Sequence, residues 1–253
     1  MKEILAPMSR RLRAYVLLTL VLAMPPAFSQ GWERVPGTLA QISVGSDGSV
    51  FGVDWFYRVF RFDNNRGRWL PLPGMLIQIA VGNHEHVWGV HPTDMLFQWD
   101  EHQSWAHVED GMAKQVAVGN EGSVWAVNRK WWMPEGDGNV YQLTLAGWEQ
   151  TEGQLQKVAV GNQDHVWGID QSGLVYHWDG EQWQFVDSEY RFKDISVGND
   201  GIVGAVDING RVFQYQPANK NWMEMGGHLA QIALGNANHV WGLTLSGELY
   251  RWR

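Results

Sequence analysis

Two side-chain types carry most of the chemistry this sequence can offer. Sixteen tryptophans and nine histidines stand among its 253 residues, and both recur at fixed intervals. An indole presents an electron-rich face to the C–H face of a sugar ring, while amides and imidazoles supply the donors and acceptors that hydroxyls need. Trp88, Trp125, Trp167 and Trp241 occupy one recurring place, Asn83, Asn120, Asn162 and Asn236 a second, and His86, His165 and His239 a third. An insertion adds the neighbours Trp131 and Trp132, a pair that would cost solubility if exposed without a use. These thirteen residues form the candidate ligand-binding set. Each has a structural alternative: evenly spaced aromatics pack cores, Asn after Gly completes turns, and imidazoles bond locally across a hairpin.

The elements that must position them repeat. A motif of apolar, Ser or Ala, apolar, Gly ends at Gly45, Gly82, Gly119, Gly161, Gly198 and Gly235, with separations of 37, 37, 42, 37 and 37 residues. About fourteen residues before each glycine comes a further tryptophan: Trp32, Trp69, Trp105, Trp148, Trp183 and Trp222. Each unit reads as four short strands, β-branched or aromatic and bounded by Gly, Asn or Asp, which is the content of one propeller blade. The fold class is therefore all-β, a six-bladed β-propeller over residues 30–253. The six indoles that precede the glycines are assigned to blade packing.

Closure is also written in the order of the strands. The repeat region opens on a fourth strand at Gly31–Val35 and ends on a third strand at Leu249–Trp252, so the N-terminal strand is expected to complete the last blade and remove two open edges. Ser43, Ala80, Ala117, Ala159, Ser196 and Ala233 share one first-strand position, where converging strands leave room only for small side chains. The histidines fall in even blades, whereas odd blades carry Ser49, Ser123 and Ile202 after an Asp-Gly or Glu-Gly pair, the pattern of a two-blade unit copied three times. Alternate blades point about 120° apart and no Cys or carboxylate recurs beside these histidines, so no shared metal is expected.

Residues 1–29 combine Lys2, Arg10, Arg11 and Arg13 with an apolar run from Ala14 to Met24 and the small residues Ala27 and Ser29. That order is a signal peptide, the apolar run being short of the ~20 residues that span a bilayer. Secretion follows as an expectation, to the extracellular space or to a periplasm, with no membrane insertion after cleavage. Loss of this segment takes the formal charge from −8 to −11, which disfavours nucleic acid and anionic membranes and favours neutral or positive partners. The chain has no cysteine and no Asn-x-Ser/Thr sequon. Nucleophile-elbow, phosphate-loop and zinc-protease patterns are absent, so neither cofactor nor catalysis is expected. Oligomeric state is left open by the sequence.

The segments IAVGNHEHVWGV, VAVGNEGSVWAV, VAVGNQDHVWGI and IALGNANHVWGL, each followed by an aromatic third strand, resemble tectonin repeats. The resemblance covers residues 31–253 and implies a propeller lectin that binds glycans without hydrolysing them, among them cell-surface or lipopolysaccharide sugars and methylated sugars. Host defence and agglutination are roles the resemblance suggests. Blade five has Gly204 and blade one Phe51 in the second-strand tryptophan place, which sets two blades apart. A protein-binding scaffold is the alternative reading, and a propeller glycoside hydrolase a more distant one.

Overall fold

A computed structural model describes residues 31–100, 104–128 and 138–253. Residues 1–29, expected to be a signal peptide, and the Trp131–Trp132 pair lie outside the described residues. Six separate sheets of four antiparallel strands succeed one another along the chain. Blades one to five cover residues 41–75, 78–112, 115–154, 157–186 and 192–228. Blade six takes three strands from 231–252 and its fourth from the N-terminal strand Trp32–Thr38. That strand pairs with Glu248–Trp252 in a register running from Trp32 opposite Trp252 to Thr38 opposite Glu248. Arg34 bonds Glu248 at 2.6 Å, and Arg251 and Arg253 both reach Glu33, so three ion pairs fasten the closure.

Neighbouring blades meet along their first strands, around a narrow axial cavity of about 70 Å³ lined by all six small residues. Just before them lies a position the sequence reading passed over. Gln41, Gln78, Gln115 and Gln231 each accept from a backbone N–H of the next blade and donate to its backbone C=O, as in Gln41 with Ile79 at 3.0 Å both ways. In blades four and five, the same position holds Lys157 and Asp194, which pair with each other, and Asp194 accepts from Ile232 N at 2.8 Å. Two of the small residues add a bond of their own: Ser43 accepts from Val81 N and Ser196 from Leu234 N.

The motif glycines answer to the same crowding. A Cβ on Gly82, Gly161 or Gly235 would sit 2.0, 2.1 or 2.0 Å from the carbonyl oxygen of Gly119, Gly198 or Gly45 in the next blade. The second-strand tryptophans fill the gaps between blades, Trp125 and Trp241 being 1% and 2% exposed. Fourth-strand tryptophans lie nearer the rim: Trp69 and Trp105 donate to Pro36 and Pro73 carbonyls of the preceding blade at 3.0 and 2.8 Å.

Gly82→Ala is expected to cost at least about 2 kcal/mol, because its backbone tolerates alanine and only the neighbouring blade does not. Gly67, at φ 61° in open space, should cost about 1 kcal/mol on the same change, from conformation alone. Urea unfolding of both variants checks the order.

Candidate functional site

Each blade turns between its first and second strands on one end of the ring, and the candidate Asn and His side chains sit in these turns. In even blades the amide oxygen caps the turn: Asn83 accepts from Glu85 N and His86 N at 2.8 and 3.0 Å, Asn162 from Asp164 N at 2.9 Å, and Asn236 from Asn238 N at 2.9 Å. Their amide nitrogens cross the gap and donate to Asn120 O, Asn199 O and Ser46 O of the next blade, each at 2.7 Å. The imidazoles follow. Nε2 of His86, His165 and His239 would lie 3.0, 2.8 and 2.8 Å from a Cβ placed on Gly122, Gly201 and Gly48, all at positive φ. His86 Nδ1 also meets Asn120 O at 3.0 Å. Asn120, in an odd blade, takes part through its backbone oxygen. In place of the hairpin-local bonding weighed for these histidines, all three pack across the blade interface, and His86 also bonds across it.

The other three interfaces, from odd to even blade, are made differently. Backbone bonds run from Ser46 N to Gly82 O, Asn120 N to Gly161 O and Asn199 N to Gly235 O at 2.8, 3.0 and 3.0 Å. Asp47 Oδ2 accepts from His84 N at 3.0 Å and meets His84 Nδ1 at 2.7 Å, and Asp200 Oδ2 accepts from Ala237 N at 2.8 Å. The two-blade unit visible in the sequence is thus an alternation of interface chemistry.

Among the described residues, a cleft opens on this end on each side of blade one. Between blades six and one, a space of about 370 Å³ is lined by Asp47, Gly48, Asn64, Asn238, His239, Trp241, Arg251, Trp252 and Arg253. Between blades one and two, about 460 Å³ is lined by Phe51, Arg61, Leu72, His84, Glu85, Trp99 and Asp100. Of the candidate set, His239 and Trp241 reach the first cleft directly. Trp88, Trp125, Trp167 and Trp241 are 5%, 1%, 7% and 2% exposed, so blade packing takes the faces of all four indoles and Trp241 meets its cleft by an edge alone. Third-strand residues went unrecognised: Arg251 pairs with Trp241, Arg61 with Phe51, His177 with Trp167 and Gln98 with Trp88. Period-two alternation places that residue beside the tryptophan, so the signal was available.

Arg251 Cζ stands 6.0 Å from the Trp241 ring centroid, and its Nε and His239 Nδ1 are buried without hydrogen-bond partners. His177 lies 5.0 Å from the Trp167 ring, and burial first, then the nearby His165, pushes its pKa down. A neutral imidazole there both donates and accepts. Aromatic edges beside fixed polar groups are what binding a polyhydroxylated ring requires.

Burial would raise the Asp47 carboxyl, but bonds from Ser49 and His84 outweigh it and hold the pKa at about 2 against an ordinary 3.8. A depressed folded-state pKa gives stability that is present above the unfolded value and lost as pH falls through the folded one. The melting-temperature gap between the protein and Asp47→Asn is therefore expected to be constant above about pH 5 and to close between about pH 4 and pH 2.

The Tectonin domain family matches residues 15–131, 93–179 and 162–253. No curated protein matches the sequence. Among solved structures, YCF48 bound to a D1 peptide is similar at 14% identity and a TM-score of 0.56, over 91% of this chain and 86% of that one. A gluconolactonase from Xanthomonas campestris is similar at 10% identity and a TM-score of 0.66, over 87% of this chain and 88% of that one. At such identities both likenesses speak for the fold alone. The repeats, the closed ring and the family match together lead to one conclusion: this chain belongs to the Tectonin domain family.

Proposed function

We infer that the protein is a secreted carbohydrate-binding protein, a lectin that holds glycans in the clefts between its blades. The observation that carries this reading is the cleft between blades six and one, where Trp241 and Trp252 edges meet Asp47, Asn64, Asn238, His239 and two arginines in about 370 Å³. Neutral sugars give little to an apolar pocket or to a charged patch alone, and need both kinds of group together. Trp88, Trp125 and Trp167 contribute as buried walls, with Asn83, Asn120, Asn162, Asn236, His86 and His165 setting the spacing between blades. Sites repeated around one ring give avidity without new contacts. Lipopolysaccharide glycans and methylated sugars are the ligands in view. Binding without turnover accords with a family that is generally non-enzymatic. Export by residues 1–29 would place the protein outside the cell or in a periplasm.

A glycan array carrying O-methylated and lipopolysaccharide sugars tests the reading. Arg251→Gln puts at this cleft the residue blade two has in the same place, and should weaken binding about tenfold, the worth of a charge-assisted hydrogen bond, while loss of the Glu33 pair lowers stability by no more than an exposed ion pair is worth, about 1 kcal/mol, and leaves the ring closed. If no glycan on the array binds, the scaffold reading takes its place.

A further inference from the structure

The opposite end of the ring, formed by the turns between second and third strands, has a different surface. In blade one this turn exposes Trp55, Phe56 and Tyr57 at 62%, 74% and 43%. Tyr57 O accepts from Leu76 N at 2.9 Å, which joins the turn to Met75, 53% exposed. Beside it, Met75, Leu76, His91, Phe97 and Trp105 line an apolar pocket of about 360 Å³ between blades one and two. Met112, 40% exposed, sits at the end of the blade-two outer strand.

The turn beside the pocket differs in chemistry from its counterparts. In blades one and five, an aspartate at the start of the turn pairs with an arginine four residues on, Asp54 with Arg58 and Asp207 with Arg211. Each guanidinium lies over the third-strand aromatic, Arg58 at 5.8 Å from Phe60 and Arg211 at 5.4 Å from Phe213. Blade two has His91 and Met95 in those places, and Phe97 meets the His91 and His107 rings, at 5.9 and 5.4 Å, in place of a guanidinium. Contiguous exposed aromatics and methionines around a pocket are the marks of an interaction surface, since monomers otherwise keep such patches small.

Charge selects the occupant. Glu109 and Asp110 are exposed on the same outer strand, next to Met112, and make no ion pair among the described residues. The whole chain carries −8. An anionic bilayer and a second copy of this chain would both be repelled by that rim. We propose that this surface docks a protein segment that inserts one apolar side chain into the Met75–Phe97–Trp105 pocket and sets basic residues against Glu109 and Asp110. It lies at the end opposite the glycan clefts and does not depend on them.

The test uses the purified protein and a fluorescein-labelled peptide, Lys-Lys-Phe-Lys-Lys, read by anisotropy. Saturable binding is expected, weakened about tenfold or more by Ala in place of the peptide Phe, by Met75→Gln, and by Glu109→Lys with Asp110→Asn. All three altered residues are exposed, and asparagine keeps the left-handed backbone of Asp110, at φ 57°, so melting temperature and glycan binding should not move. Absence of binding overturns the proposal, as does binding that Met75→Gln leaves unchanged. Two other results overturn it: cosedimentation with phosphatidylcholine vesicles that Met75→Gln abolishes, which assigns the face to lipid, and a dimer that the same change dissolves, which assigns it to a second copy.

Discussion

Everything in this molecule depends on how closely one blade can approach the next. Four-stranded sheets of this size bury too little to stand alone, and stability comes from stacking them face to face. The glutamine clamps, the small first-strand residues and the motif glycines are three answers to that single demand. Each Gln41-type side chain replaces, for the next blade's inner edge, the strand that would otherwise pair there, so backbone groups beside the axis stay bonded. The Lys157–Asp194 pair keeps the geometry by charge where two amides are missing. Ring closure extends the same logic to the ends of the chain, and it alone creates the cleft between blades six and one, whose walls come from residues 47–64 and 238–253.

Much of this was legible in the sequence because repetition exposes constraint. Six glycines in register, small residues in one column and a fourth-strand motif at the start gave blade number, inner strand and closure. The His and Gly alternation was visible as a pattern, but its cause was not. An imidazole in one blade faces a glycine in the next, a complement between residues 36 to 191 positions apart that no local rule reads. Burial was the other gap. A tryptophan in a propeller has the same spacing whether it packs or binds, and the structure assigns the faces of Trp88, Trp125 and Trp167 to packing. Arg251 and Arg61 carry no repeat signal because their position varies between blades, as Gln98 and His177 do, whereas Trp99 shares its place with Trp178 and Trp252 and reads as packing.

Variation against a constant frame is also where specificity resides. The residue beside the second-strand indole is Gln98, His177 or Arg251 at the three even-to-odd interfaces, so one scaffold offers three polar settings. On the far end, blade two carries His91 and Met95 where blades one and five carry an Asp–Arg pair over the third-strand aromatic, and an apolar pocket opens beside them. The two ends therefore present different chemistry, aromatic edges beside fixed polar groups on one and an apolar pocket near two exposed carboxylates on the other, with the packed blades holding them apart.

Hydrogen–deuterium exchange across residues 32–38 bears most directly on the closed ring. The account predicts that these amides exchange as slowly as those of Glu248–Trp252, their partners in blade six, with both strands released only in global unfolding. Exchange of 32–38 at the rate of a free terminus, while 231–252 stays protected, would contradict it.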